Sequence, residues 1–360
     1  MRVMIAGGGT GGHVIPALAI ANALKSAYQA EICFVGTARG METRLVPQAG
    51  YALELIEAGQ LNRVSLATQL KTLTALPRGI LYCRRLLRRW QPQVVVGVGG
   101  YASGPAMLAA LVQRVPTLAF EPNAVPGLAN RLIGKRVRAA AVNFAPTLAY
   151  FRNAEVTGIP VRAEFFSLAS RSPGSPPRLL VMGGSQGARA LNQRMPEIAK
   201  VLLDNVPGLT ILHQAGARHA ETTEAAYAAS GAAQDRWQVQ AFLEDMPKQF
   251  AASDLILARS GASTVAELAA SGKPSLLVPF PQAADDHQRK NAEVLVKGVA
   301  AMMLLELEMT GATLLEALSG LLKNREKLGA MATCARTFAH PQAAERIAEM
   351  VAGLASSSSR

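Results

Sequence analysis

At 360 residues and 37.9 kDa the chain is long for one domain and suits two. Half of it is hydrophobic and only 5% aromatic, which fits packed α/β layers. Its three scattered cysteines (Cys33, Cys83, Cys334) match no disulfide framework and no metal spacing, so a reducing compartment is expected. A formal charge of +12 points to an anionic partner, while the lack of a long uncharged apolar run, or of a secretory leader before the first strand, argues for a soluble or peripheral protein.

Met4-Ile5-Ala6 reads as a buried strand, Gly7-Gly8-Gly9-Thr10-Gly11-Gly12-His13 as a tight turn, and Pro16–Leu24 as the helix that follows. Gly7, Gly9 and Gly12 fit G-x-G-x-x-G, where glycines let the backbone approach a phosphate and the new helix offers free N–H groups. A dinucleotide unit of the NAD kind wants a carboxylate at the end of the second strand. That strand, Glu31–Val35, ends in Gly36-Thr37-Ala38-Arg39, so the turn reads as a phosphate cradle but not one for NAD.

Ala52–Ile56 reads as a strand and Leu66–Trp90 as helical, with a break or kink near Pro77-Arg78-Gly79. Its apolar stripe is Leu66, Leu70, Leu73, Leu76, Ile80, Cys83, Leu87 and Trp90, surrounded by Arg78, Arg84, Arg85, Arg88 and Arg89. Gln93–Val98 is a buried strand opening into a third glycine turn, Gly99-Gly100-Tyr101-Ala102-Ser103-Gly104-Pro105. Pro116–Phe120 is another strand, ending in Glu121-Pro122-Asn123-Ala124-Val125-Pro126-Gly127. Strands and helices alternating in this way imply a parallel sheet, with the loops Gly7–His13, Gly99–Gly104 and Glu121–Gly127 converging at its carboxyl edge. Between Ala58 and Ala154 stand thirteen basic residues and one acidic one, Glu121, so this stretch carries the whole net charge. Arg138–Val142 reads as the last strand of the first domain, Val156–Arg162 as a crossing segment, and Ser167–Pro177 as an exposed linker.

The second half repeats the rhythm. Strands are expected at Arg178–Met182, Leu209–His213, Trp237–Phe242, Asp254–Ala258 and Ser275–Pro279, with a glycine turn at Gly183-Gly184-Ser185-Gln186-Gly187. Two such units suggest two α/β domains of similar design across a cleft. Arg259-Ser260-Gly261-Ala262-Ser263-Thr264-Val265-Ala266-Glu267 is a turn into a helix, whose N–H groups, Ser263 and Thr264 suit a diphosphate. Glu267, one turn further in, can accept from two vicinal hydroxyls of a ribose; a cap with a solvated glutamate is the plain alternative. Gln288 and Asn291 share a helix face and can read sugar hydroxyls or an acetamido group. A last helix, Pro341–Leu354, precedes a Ser-rich, frayed end.

The ordered set Gly7–His13, Gly99-Gly100-Tyr101, Gly183-Gly184-Ser185, Arg259-Ser260-Gly261-Ala262, Glu267, Gln288 and Asn291 resembles, over essentially the whole chain, the family of glycosyltransferases that add N-acetylglucosamine to the lipid-linked muramyl-pentapeptide precursor of peptidoglycan. The resemblance implies an α/β GT-B fold, two Rossmann-like parallel-sheet domains with a deep cleft. It implies an acceptor- and membrane-associated domain at 1–162, a UDP-N-acetylglucosamine-binding domain at 163–340, and a C-terminal helix and tail at 341–360 packing back towards the first domain. The reaction implied is inverting transfer from UDP-N-acetylglucosamine to the 4-hydroxyl of the undecaprenyl-diphosphate-linked muramyl sugar, during cell-wall synthesis at the cytoplasmic face of the bacterial inner membrane. On that reading Arg162, Ser185, Gln186, Ser263, Thr264, Glu267, Gln288 and Asn291 hold the donor, and Thr10, Gly11, Gly12, His13, Tyr101 and Asn123 face the acceptor. Pro122 stands where the family commonly has Gln, so no acceptor contact is carried over to it.

No Asp-x-Asp occurs in the chain, so charge on the leaving diphosphate falls to helix N-termini, Ser185, Ser263, Thr264 and Arg162. No metal ligands and no tightly bound cofactor are expected, though a divalent cation at the acceptor diphosphate stays open. His13 has two readings, the base for the attacking hydroxyl or a residue that only hydrogen-bonds its loop or the acceptor diphosphate. Arg78, Arg84, Arg85, Arg88 and Arg89 read either as a solvated helix face or as a patch for an anionic membrane surface, and a lipid-linked acceptor favours the second. Partners are then the lipid-linked acceptor, the membrane and other cell-wall synthesis proteins. Rival readings are a diacylglycerol glycosyltransferase, a sugar-nucleotide epimerase, and a nucleic-acid binder, which lacks an aromatic platform here.

Overall fold

The computed structural model describes residues 1–56, 66–169, 171, 174–184 and 186–357, without the side chains of 66–75. The chain forms two compact units, Met1–Pro160 with Gln342–Arg360, and Val161–Pro341.

In the first unit seven parallel strands, β1 (Arg2–Ala6), β2 (Glu31–Gly36), β3 (Ala52–Leu55), β4 (Val94–Gly97), β5 (Thr117–Glu121), β6 (Ala139–Val142) and β7 (Ala154–Val156), stand in the order β3-β2-β1-β4-β5-β6-β7. In the second, six parallel strands, β8 (Arg178–Met182), β9 (Thr210–Gln214), β10 (Trp237–Gln240), β11 (Leu255–Ala258), β12 (Ser275–Leu277) and β13 (Ala301–Met303), run β10-β9-β8-β11-β12-β13. Each sheet is doubly wound. Each reverses its winding beside its first strand, so β1 pairs both β2 and β4, and β8 pairs both β9 and β11. The central strands are apolar throughout because helices cover both faces. Val3–Ala6, Val94–Val96 and Leu255–Ala258 are at or near zero exposure.

β7 and β13 were not foreseen. Each is a three-residue edge strand, too short to show a period, and Val156 lies at the end of one rather than at the start of a crossing segment.

Of the break or kink expected near Pro77, no break occurs: Leu66–Trp90 runs through it as one helix. A proline removes only one backbone bond, which 25 residues of helix and a packed face can offset. Cys83 and Leu87 of its stripe are buried against Met107 and Val95; Leu66, Leu70 and Leu73 fall where side chains are outside the described residues. Truncating Leu87 to Ala would cost about 2–5 kcal/mol. Burial also pushes the Cys33 thiol up to about 11 and that of Cys83 to about 12, which leaves both inert.

The helix Ala343–Ser357 packs on the first helix of the same unit, burying Ile347 and Val351, and Arg346 forks onto Glu155 at 2.6 and 2.8 Å. In the second unit Arg189–Asn205 and Gly311–Leu322 pack together over Leu179, Val181 and Leu257. Within the segment expected as a linker, Arg171 pairs with Asp254 at 3.3 Å and reaches the Ala252 carbonyl, so it is tied to its unit at that point.

Candidate functional site

The first unit gathers its candidate residues at the carboxyl ends of β1, β4 and β5. The helix after β1 begins at Gly11, five residues before the expected start; the carbonyl of its N-cap Thr10 accepts from the N–H groups of His13 and Val14, and the Thr10 side chain makes no cap. His13 therefore sits on the first helical turn rather than in a loop. Its half-buried ring lies against the β4 turn, where a Cβ on Gly99 would stand 2.8 Å from His13 Cε1. A Cβ on Gly100 would collide with the Gly8 carbonyl, so the two glycine turns pack backbone to backbone. Thr10, Gly12 and Tyr101 are exposed and Gly11 is half-buried.

Two carboxylates that the sequence did not single out as site residues shape this edge. Glu42, on the helix Glu42–Gln48 after β2, is buried and accepts from Gly9 N–H at 2.7 Å, Thr37 N–H at 2.9 Å and Thr37 Oγ1 at 3.0 Å. Burial pushes its carboxyl up, but these hydrogen bonds outweigh that and hold it below the usual carboxylate range. The expected phosphate cradle thus spends one of its donors, Gly9 N–H, on a residue of its own unit. The acid lies six residues beyond the end of β2, where a fixed-spacing motif does not look.

Glu121, ending β5, is also buried. It accepts from Asn123 N–H at 3.0 Å, Asn123 Nδ2 at 3.2 Å, Gly127 N–H at 3.1 Å and Asn130 Nδ2 at 3.0 Å. Burial raises its pKa despite those donors. Asn123 is held further by Thr147 Oγ1, which donates to its carbonyl at 3.0 Å. The signal was present: Glu121 is the one acid in a long basic stretch and closes a buried strand.

In the second unit the corresponding edge is formed by the turns after β8, β11 and β12. Ser185 lies outside the described residues; Gln186 is exposed. The β8 turn closes through Gly187 N–H to the Gly184 carbonyl at 2.9 Å, and a Cβ on Gly187 would collide with the Ala215 carbonyl beyond β9. After β11 comes the helix Ala262–Ser271, N-capped by Gly261 with no side-chain cap. Its first N–H groups, flanked by half-buried Ser263 and Thr264, meet no acceptor among the described residues.

Glu267 stands one turn further in, half-buried, and its carboxylate takes no hydrogen bond from the described residues. Burial pushes it up to about 7, partly offset by the Arg162 guanidinium. Arg162 is exposed, belongs to this unit, and lies over the Phe165 ring at 5.2 Å.

Gln288 and Asn291, on the helix His287–Lys297, brace the β11 turn. Ser260 Oγ donates to the Gln288 carbonyl at 2.8 Å, and Asn291 Nδ2 donates to the Ser260 carbonyl at 3.2 Å. Gln288 Oε1 accepts from Phe280 N–H at 3.0 Å. Asn291 is fully buried, so at least one of its donors serves the turn itself.

Of the arginines on Leu66–Trp90, Arg78, Arg85, Arg88 and Arg89 are exposed and Arg84 is half-buried, with Leu81 and Tyr82 exposed among them. Arg89 pairs with Glu54 at 2.6 Å, and Tyr82 Oη donates to the same carboxylate. Among the described residues no helix is long and apolar enough to cross a membrane, and no group of three or more His, Cys, Asp or Glu side chains could hold a metal ion.

Residues 3–142 match the glycosyltransferase family 28 N-terminal domain and residues 178–347 its C-terminal domain. The chain is 46% identical over 355 residues to the UDP-N-acetylglucosamine–N-acetylmuramyl-(pentapeptide) pyrophosphoryl-undecaprenol N-acetylglucosamine transferase of Anaeromyxobacter dehalogenans, covering 97% of this chain and 92% of that protein. It is 40% identical to the protein of the same name in Myxococcus xanthus, with 98% and 93% covered. The crystal structure of Acinetobacter baumannii MurG superposes with a TM-score of 0.82 at 33% identity, over 98% of this chain and 99% of the other.

Proposed function

This chain belongs to glycosyltransferase family 28, and from that premise we propose that it transfers N-acetylglucosamine from UDP-N-acetylglucosamine to the undecaprenyl-diphosphate-linked N-acetylmuramyl-pentapeptide, in a GT-B fold. The observation that carries this is the near-full-length likeness to transferases of that name, which spans both units.

The second unit takes the donor. The uncapped start of Ala262–Ser271, with Ser263 and Thr264, meets the diphosphate. An anion there gains about 0.3–1 kcal/mol from the helix dipole, and up to about 2 kcal/mol when partly buried. Glu267 accepts from the ribose hydroxyls, and Gln288 with Asn291 holds the β11 turn that presents them. The first unit takes the acceptor along its packed glycine turns, with Asn123 aimed by Glu121.

In the transfer, the acceptor 4-hydroxyl oxygen attacks the anomeric carbon as the bond from that carbon to the diphosphate oxygen breaks. The hydroxyl proton passes to His13, and UDP leaves with the bonding electron pair. Direct displacement inverts the anomeric centre. Exposed Arg78, Arg85 and Arg88, with Leu81 and Tyr82 between them, seat the unit on the anionic inner leaflet where the acceptor lies, beside the other cell-wall enzymes.

The test is transfer of labelled N-acetylglucosamine to a short-chain muramyl-pentapeptide lipid, with UDP-glucose and a diacylglycerol acceptor alongside. Transfer requiring the muramyl lipid is expected. Transfer to diacylglycerol instead would keep the family and overturn the acceptor.

A further inference from the structure

The basic stretch holds a second cluster that neither the glycine turns nor the arginines of Leu66–Trp90 account for. Arg114, Lys135, Arg136, Arg138 and Arg152 line one pocket of about 710 Å³ in the first unit. Its wall also contains Pro116 and Thr117 at the start of β5, with Arg138 just before β6 and Asn153 just before β7. The pocket therefore opens at the amino edge of the sheet, opposite the edge that carries the glycine turns.

Among the described residues no acidic side chain lines it. Lys135 is pinned by donating to the Ala149 carbonyl at 2.7 Å, and Arg136 reaches the Leu132 carbonyl at 3.4 Å. The guanidinium groups of Arg114, Arg138 and Arg152 have no hydrogen-bond or ion-pair partner among the described residues. Arg114 sits just past the end of the helix Ser103–Val112 with φ of 59°, a position that glycine usually fills. Like charges held together without a counterion repel, so the cluster is stabilised by whatever anion enters.

We propose that this pocket binds a small anion bearing two or more phosphate groups. Several guanidinium forks match phosphate oxygens in pairs, and a single phosphate would leave much of the cationic charge unmatched. The volume lies within the range of about 300–1,000 Å³ usual for small-molecule sites.

The probe is inorganic tripolyphosphate, titrated calorimetrically into the full chain at physiological ionic strength with saturating UDP present to block the diphosphate site. One equivalent is expected to bind. Replacing Arg114, Arg138 and Arg152 together by Ala should weaken it by about thirtyfold or more, while Arg85→Ala/Arg88→Ala leaves it unchanged. Should the triple variant fail to fold, Arg152→Ala alone is expected to weaken binding by about fivefold. The proposal is overturned by absence of binding to the native chain, by equal binding to the pocket variant, or by equal loss in the Arg85/Arg88 control. In a parallel arm the proteins are floated with anionic phospholipid vesicles. If the pocket variant loses only vesicle attachment, the cluster serves a lipid surface and the soluble-anion site is rejected. None of these outcomes depends on transferase activity, so failure here and failure of the acceptor assignment are separate results.

Discussion

The two units share a strand order and a glycine-turn design, yet their key carboxylates are handled in opposite ways. Glu42 beside the β1 turn is buried with three hydrogen bonds and held below the usual range. Glu267 beside the β11 turn is half-buried with none from the described residues, and is pushed up to about 7. One carboxylate completes its turn from within, and the other takes no hydrogen bond from the described residues. Chemically identical side chains have their pKa values moved in opposite directions according to how many donors the fold supplies.

The largest effect concerns the closed turn. If its rigidity serves to hold His13 as base, His13→Ala should lower kcat by about 10²–10⁴-fold with little change in donor KM. Steady-state rates at saturating substrates check this; near-normal turnover would reduce His13 to a loop residue.

Next comes Glu42. Glu42→Ala strands the N–H groups of Gly9 and Thr37 and should cost on the order of 3 kcal/mol in urea unfolding. Because its folded pKa lies below the reference value of 4.5, the native carboxylate's contribution is complete above that pH and is lost as pH falls through the folded value. A cost near zero would break the contrast between the two carboxylates.

Glu267 should behave in the opposite sense. Its raised pKa means that its contribution to stability is complete below about 4.5 and is lost as pH rises through about 7. Glu267→Gln should therefore stabilise the fold at pH above about 7, by about 1–3 kcal/mol at most after solvent screening. The same variant should weaken UDP by about tenfold, and should flatten a native affinity that rises through about pH 7. Unchanged UDP affinity would remove Glu267 from the ribose.

Much of this was legible locally. Continuous apolar runs such as Val94-Val95-Val96 announce strands buried on both faces, and each run followed by glycines marks a turn at a carboxyl edge. The glycine turns, the start of Ala262–Ser271 and the place of Glu267 one turn inside it were legible that way because each lies within one short stretch of chain. What escaped was non-local. Glu42 meets Gly9 across 33 residues, and Asn291 meets Ser260 across 31, so neither contact leaves a pattern in any short window.

The amino-acid sequence by itself determined the class of fold, the two-unit plan and the surplus of positive charge, because periodicity, glycine spacing and composition are properties of the chain alone. Only the tertiary structure decided which carboxylate is spent and which is open, and which five cations of the basic stretch share one pocket. Burial and donor count set a carboxylate's state, and strand order sets which loops are neighbours; both exist only once the sheet has formed.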